Sequence, residues 1–186
     1  NLSTRHYEQG IRILKEENDS LNLATAMFNA GDEYYQLGKL DSALLYYEES
    51  GQIFEMLKHN HALAYVLGNM GQVQAKLGNN NIAEINLNQA IDTLIELGDF
   101  YPVCVYLLDL SDFHVRTNDV QNGLILATKS LNYATEYGLK EQISDANLKL
   151  SKIYEILGES SESLRHYKNH VIYRDSLNNM AKVQEI

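Results

Sequence analysis

The feature that most constrains this chain is a pattern of residues that recurs every 40 positions without an insertion. Self-similarity at a fixed period of this length is typical of helical repeat arrays, in which each unit packs on its neighbours. Small residues at the first and third recurring positions let two helices approach closely, and Gly or Asn at the second ends a helix at positive φ. In order, the four positions hold Gly31, Gly71, Ser111 and Ser151; Gly38, Gly78, Asn118 and Gly158; Ala43, Ala83, Gly123 and Ser163; and Ser50, Ala90, Ser130 and His170.

Apolar residues within one copy of the pattern, residues 62–99, follow the period of two helices. Steps of three and four residues put them on one stripe of each helix. Neither helix can bury its stripe alone, so we expect the helix pairs to stack on one another. The predicted stripes are Leu63, Val66, Leu67, Met70, Val73 and Leu77, and then Ile82, Ile85, Leu87, Ala90, Ile91, Leu94 and Ile95.

The positions within each copy resemble the tetratricopeptide repeat. The matches include a small residue at the eighth position, Gly before the turn, and ring side chains at Tyr34, His114, Tyr154, Tyr47 and Tyr167. The four tyrosines are expected to pack in the core. Gln74 departs from the pattern in the second copy. The standard repeat has roughly 34 residues, and the longer spacing is similar to the long-helix repeats of kinesin light chains and many bacterial regulators. The resemblance implies an all-α, right-handed superhelical solenoid of antiparallel helix pairs.

We expect residues 1–186 to form a single array. The first segment matches the second helix of a repeat whose first helix is missing, which indicates a piece of a longer protein. Four helix pairs follow, and an exit helix ends the chain. The expected segments are 1–17 for the leading helix, 21–57, 61–97, 101–137 and 141–173 for the four pairs, and 174–186 for the exit helix.

The exit helix differs from the other second helices because no Gly follows His170. Residues 173–178, YRDSLN, resemble the exit helix of tetratricopeptide sensor regions in bacterial signalling proteins: histidine kinases, diguanylate cyclases and adenylate or guanylate cyclases. In those families the helix leads into a coiled coil, which implies a homodimer through the C-terminal helix, with a thin apolar seam at Leu177, Met180 and Val183. The alternative is a solvated helix that caps the array.

Charge and hydropathy argue against several classes of partner. The formal net charge is −10 and the isoelectric point is near 5.0, which argues against binding to nucleic acid and to anionic membrane surfaces. The longest apolar run, residues 101–108, is far too short to span a bilayer. We therefore expect no nucleic-acid partner and no membrane contact by this chain, and a cytoplasmic location is favoured.

No pattern in the sequence points to catalysis. Phosphate-binding glycine loops, GxSxG and CxxC motifs are absent, and Cys104 lies on an apolar helix face, where a buried, inert thiol is expected. His166 and His170 have a spacing that can hold zinc. The favoured interpretation is that His170 packs between helices and His166 lies at the surface. We therefore expect no enzyme activity, no cofactor and no metal.

The resemblance implies a concave groove that is lined by the first helix of each pair and binds a protein or peptide ligand. Asn29 and Asn69 match the family position whose side-chain amide forms hydrogen bonds with the backbone of a bound peptide. An amide suits this role because it offers a donor and an acceptor together. The Lys/Asn set that clamps a peptide carboxylate in chaperone-binding members is not reproduced. The groove residues carried over are Phe28, Asn29, Asp32, Tyr35, Gln36, Tyr65, Asn69, Gln72, Lys76, Leu108, Asp109, Asp112, Arg116, Leu148, Lys149, Lys152 and Glu155.

The predicted groove grades from aromatic and acidic side chains in the early repeats to more basic ones in the later repeats. This gradient would suit an extended peptide with a basic stretch near the first repeats. The alternative is that these polar residues only solvate the inner face.

The predicted function is a non-catalytic protein–protein interaction and regulatory module. Its preferred form is the sensory or dimerising part of a larger bacterial signalling protein, in which a bound ligand biases the superhelix and the exit helix transmits that bias. The alternatives are a stand-alone peptide-binding adaptor or scaffold, and a structural spacer with an empty groove.

Overall fold

The computed structural model describes the backbone of residues 2–17 and 19–184, and the side chains of residues 9–17 and 19–177. Over this part of the chain all regular secondary structure is α-helical, and no helix combines the length and apolar character that a membrane span requires. The helices are α1 Leu2–Glu16, α2 Ser20–Gln36, α3 Leu40–Met56, α4 Asn60–Leu77, α5 Asn80–Glu96, α6 Phe100–Arg116, α7 Val120–Glu136, α8 Lys140–Ile156 and α9 Ser160–Gln184.

The chain forms two compact units, Asn1–Leu97 (unit 1) and Gly98–Ile186 (unit 2). In unit 1 each helix from α1 to α5 packs against the next one along the chain. In unit 2 the same holds from α6 to α9, with an additional, smaller contact between α6 and α8. Packing mainly between successive helices is what repeat arrays require, because no helix can bury its apolar stripe alone.

The turns between the two helices of each pair share one geometry, which the sequence pattern predicts. After α2, the N–H of Lys39 donates to the carbonyl of Tyr34 at 2.9 Å and the N–H of Gly38 donates to the carbonyl of Tyr35 at 3.0 Å. These are the two hydrogen bonds of a Schellman C-cap. This cap needs a residue at positive φ. Gly38 and Asn118 adopt that conformation, with φ values of 70° and 65°.

Small residues bring the two helices of each pair into close contact, as the recurring positions predict. In unit 1, Gly31 on α2 lies against the ring of Tyr47 on α3. In unit 2, the Ser111 hydroxyl on α6 donates to the carbonyl of Gly123 on α7 at 2.7 Å. All four of these residues are buried.

The apolar stripe of α5 is narrower than predicted. Ile82 and Ile85 were expected to be buried, but they are 50% and 65% exposed. Successive residues are about 100° apart around an α-helix, so Ile85 lies on the opposite side from the buried Ala83. Leu77 at the end of α4 is also exposed. The buried face of α5 is formed by Ala83, Leu87, Ala90, Ile91 and Leu94.

The last helix, α9, runs without a break from Ser160 through the predicted exit segment to Gln184. Tyr167 was expected in the core, but it is 48% exposed, whereas its counterpart Tyr47 is 1% exposed. The following helix, α4, covers Tyr47, and no helix of the described chain covers Tyr167 in this way. The side chains of Met180 and Val183, which belong to the predicted seam, lie outside the described residues.

The contact between Gly31 and Tyr47 predicts a difference between two glycine-to-alanine substitutions. A Cβ at Gly31 would lie 2.6 Å from Cε1 of the buried Tyr47, whereas a Cβ at Gly10 in α1 would meet nothing within 4 Å. Both changes favour the helix by about 0.5–1 kcal/mol, but overpacking at Gly31 costs about 1–3 kcal/mol. We therefore expect Gly31→Ala to be less stable than Gly10→Ala by about 1–3 kcal/mol. Urea denaturation followed by circular dichroism measures this difference, and equal stabilities would contradict the close contact.

Candidate functional site

A concave pocket of about 280 Å³ lies in unit 2 between the two first helices, α6 and α8. It brings together six of the predicted groove residues: Leu108, Asp109, Asp112, Leu148, Lys149 and Lys152. The lining also includes three residues that were not predicted to face the groove: Val105, Gln142 and Asp145. Arg116 is exposed and does not line this pocket.

Charge of both signs is held inside the unit 2 pocket. The Lys149 ammonium forms an ion pair with Asp112, and the Lys149 side chain is the more buried of the two. Burial raises the pKa of the Asp145 carboxyl, and the nearby Glu141 carboxylate raises it further, against the opposing effect of His170 and Lys149. A surface of this kind can bind main-chain and charged side-chain groups of a ligand together.

A second pocket, of about 240 Å³, lies in unit 1 between α2, the end of α3 and the start of α4. Its lining is mainly apolar and aromatic, and it includes the predicted groove residues Phe28 and Tyr65. A pocket of this composition fits one apolar side chain of a ligand. The lining residues are Leu21, Thr25, Phe28, Phe54, His59, His61, Ala62 and Tyr65.

Two exposed histidines, His59 and His61, line the unit 1 pocket where α4 begins. Nδ1 of His59 accepts a hydrogen bond from the N–H of Ala62 at 3.3 Å, so His59 is the N-cap of α4, and its ring lies 5.6 Å from that of Phe54. The ring of His61 lies edge-on to Tyr65, with the ring centroids 5.4 Å apart. Their position at the start of a first helix is the sequence signal that could have placed them beside the groove.

One helical turn beyond this pocket, a carboxylate and an amide join α2 to α4. The Asn69 amide donates to Oδ1 of Asp32 at 2.9 Å, and the Tyr47 hydroxyl donates to the same oxygen at 2.5 Å. Burial raises the pKa of the Asp32 carboxyl, although these two hydrogen bonds act to lower it. Burial and the Asp32 carboxylate both raise the pKa of Tyr47, so its hydroxyl stays protonated and can donate.

The remaining predicted groove residues of unit 1 have different surroundings. The ammonium of Lys76 lies 3.8 Å from the ring centroid of Tyr35, which is a cation–π contact between α4 and α2. Gln72 is half-buried, whereas Gln36 and Asn29 are exposed. Asn29 therefore presents its amide to solvent, whereas the amide of its counterpart Asn69 contacts Asp32.

Comparison with known proteins supports the tetratricopeptide resemblance. A family model of the tetratricopeptide repeat matches residues 24–50, which lie in α2 and α3. Among curated proteins, no sequence matches this chain significantly.

Several solved structures have a similar fold. BtubC from P. vanneervenii superposes with a TM-score of 0.80 at 17% identity, over 92% of this chain and 72% of that one. The apo form of RapI superposes with a TM-score of 0.71 at 18% identity, over 95% of this chain and 62% of that one. A third similar structure is a signal transduction ATPase with numerous domains and a tetratricopeptide repeat sensor, from Pyrococcus horikoshii. It superposes with a TM-score of 0.76 at 19% identity, over 96% of this chain and 28% of that one. These likenesses confirm the predicted all-α, tetratricopeptide-like solenoid class.

The histidine pair of α9 packs against α8. His166 is buried, which corrects the expectation of a surface position: its Nδ1 donates to Oδ1 of Asn147 at 2.8 Å, and its Nε2 accepts from Arg165 at 2.8 Å. Nδ1 of His170 lies 2.9 Å from the hydroxyl of Ser144. Within the described residues, no three His, Cys, Asp or Glu side chains form a group that could hold a metal ion.

Cys104 is buried, as predicted, and its thiol lies 3.5 Å from the carbonyl of Ser130. Burial raises the pKa of the Cys104 thiol to about 11. The thiolate is the reactive form of cysteine, so this environment makes the side chain unreactive near neutral pH.

The surroundings of His166 predict a dependence of stability on pH. Burial lowers the pKa of His166, and the neighbouring Arg165 lowers it further. The unfolded chain therefore binds more protons below the ordinary His pKa of about 6.5, and stability is lost as the pH falls through that range. We expect His166→Gln to reduce the loss of unfolding free energy between about pH 7.5 and pH 5.5, measured by urea denaturation. The exposed His61→Gln is the matched control, and an unchanged pH dependence in His166→Gln would contradict the assignment.

Proposed function

We propose that this chain is a non-catalytic protein-interaction module that binds an extended peptide segment of a partner along its first helices. The observation that carries the proposal is that residues expected in the groove from different repeats come together in two concave pockets. In unit 1 they come from α2 and α4, and in unit 2 from α6 and α8. Tetratricopeptide folds are typically interaction modules, which agrees with this function.

The chemistry of the two pockets suits a peptide. The apolar pocket of unit 1 can take one side chain, and the exposed amide of Asn29 can donate to and accept from a peptide bond. The unit 2 pocket offers carboxylates and ammonium groups around Leu108 and Leu148, so it can pair with a polar ligand segment. An apolar anchor with a few placed polar groups is the usual composition of a specific binding site.

The regulatory form of this function is the sensory or dimerising part of a larger bacterial signalling protein. Two observations support it: α9 has 25 residues whereas α3, α5 and α7 have 17 each, and the chain resembles the part of the Pyrococcus horikoshii ATPase structure that it covers. That protein is described as carrying a tetratricopeptide repeat sensor. A stand-alone adaptor or scaffold is the alternative, and it needs the groove but no self-association through α9.

The groove function is tested with two asparagine variants of unit 1. Random linear peptides displayed on phage are selected on the full chain, and the affinity of the selected peptides is measured by isothermal titration calorimetry. We expect Asn29→Ala to weaken binding about threefold to tenfold, because it removes a hydrogen bond to the peptide backbone. Asn88→Ala changes an equally exposed asparagine on the second helix α5 and should leave the affinity unchanged. Failure to select any peptide argues for a spacer with an empty groove, and equal affinities for both variants would contradict the contact of Asn29 with the peptide.

Self-association through α9 is tested by measuring the mass in solution by light scattering. We expect the full chain to be a dimer and a chain ended after Tyr173 to be a monomer, because the truncation removes the seam at Leu177, Met180 and Val183. Circular dichroism of the truncated chain checks that its helices remain. A monomer in both forms would support the adaptor and would contradict the dimerising function.

A further inference from the structure

Asp32 carries a negative charge that no cation of the described chain neutralises. Its side chain is half-buried, and both of its hydrogen-bond donors, the Tyr47 hydroxyl and the Asn69 amide, are neutral. Among the residues that the structure describes, no Lys, Arg or His lies within ion-pair distance of it. Carboxylates removed from water are normally paired with a positive group.

The geometry of the Asp32 carboxylate leaves one of its oxygens available. Both donors bind Oδ1, and Oδ2 receives no hydrogen bond from the described part of the chain. The two hydrogen bonds hold the carboxylate in a fixed position at the surface between α2 and α4. A preorganised oxygen of this kind is suited to an ammonium or guanidinium group supplied by a ligand.

One edge of the apolar pocket of unit 1 lies next to this carboxylate along α2 and α4. Phe28 precedes Asp32 by four residues on α2, and Tyr65 precedes Asn69 by four residues on α4, so the edge of the pocket that Phe28 and Tyr65 form is one helical turn from the carboxylate. Four residues of α-helix rise about 6 Å. Side chains on one face of an extended peptide recur about every 6.6 Å, at every second residue. The two features therefore match residues i and i+2 of an extended peptide.

We propose that unit 1 recognises a pair of ligand side chains separated by one residue, in which an apolar side chain enters the Phe28–Tyr65 pocket and a Lys or Arg side chain binds Asp32. The inference rests on the peptide-binding function proposed above and specifies the ligand class of that site. The net charge of −10 favours the approach of a basic peptide at long range.

The ligand class is tested by comparing peptide selections on the wild-type chain, on Asp32→Asn and on Asp92→Asn. Asparagine keeps the shape of Asp32 and an oxygen that accepts from Tyr47 and Asn69, but it removes the charge. Asp92 is exposed on α5, outside the groove, and serves as the matched control. We expect peptides selected on wild type and on Asp92→Asn to carry a basic residue two positions from an aromatic or large aliphatic one. Peptides selected on Asp32→Asn should keep the apolar residue and lose the basic one.

A second measurement does not depend on how well a variant folds. The best wild-type peptide and an analogue with Gln in place of its basic residue are titrated against the wild-type chain, and the analogue should bind about tenfold more weakly, as expected for a lost charged hydrogen bond. On Asp32→Asn the affinities of the two peptides should differ by no more than about twofold, because the Asp32 carboxylate that attracts the basic side chain is absent.

The outcomes separate this inference from the groove function. If the selected peptides lose affinity in Phe28→Ala but show no basic enrichment, or if the Gln analogue binds wild type equally well, the role of Asp32 is overturned and the groove function stands. If no peptide is selected on the wild-type chain, both the groove function and the assignment of its ligand fail.

Discussion

The close contact between the two helices of each pair is the constraint on which the rest of this structure depends. In unit 1 a Cβ at Gly31 would lie within 2.7 Å of two Tyr47 ring carbons, and one at Gly71 would lie 2.7 Å from Leu87. In unit 2 the Ser111 hydroxyl bonds the carbonyl of Gly123. Because a larger side chain at these positions would separate the helices, the small residues set the distance within each pair, and the 40-residue period repeats that distance along the chain.

This contact also explains where the pockets form. First helices are connected mainly through the second helix between them, since α3 packs on both α2 and α4, and α7 packs on both α6 and α8. The direct contact between first helices is small, so side chains that face the space between them remain partly accessible. The space between first helices is lined by aromatic side chains in unit 1 and by charged side chains in unit 2. The same backbone arrangement therefore provides two chemically different surfaces.

Tyr47 links the core of unit 1 to the Asp32 carboxylate and to Phe28, which lines the unit 1 pocket. Its ring packs against Gly31 and lies 5.7 Å from that of Phe28, and its hydroxyl holds the Asp32 carboxylate. A residue that the sequence places in the core thus also fixes the position of a polar group at the surface. Sequence periodicity identifies the buried ring, but it carries no information about the atom to which the hydroxyl donates.

The sequence by itself determined the helical class, the 40-residue period, the turn residues such as Gly38 and Asn118, and helix ends within a few residues, because these follow from local propensity and spacing. The resemblance to the tetratricopeptide repeat also pointed to first-helix residues, some of which line the two pockets. Only the tertiary structure decided that Ile85 is exposed, that His166 is buried against Asn147, and that Asn69 bonds Asp32 across 37 residues. Each of these depends on which side chain a neighbouring helix presents, and a pattern within one helix does not contain that information.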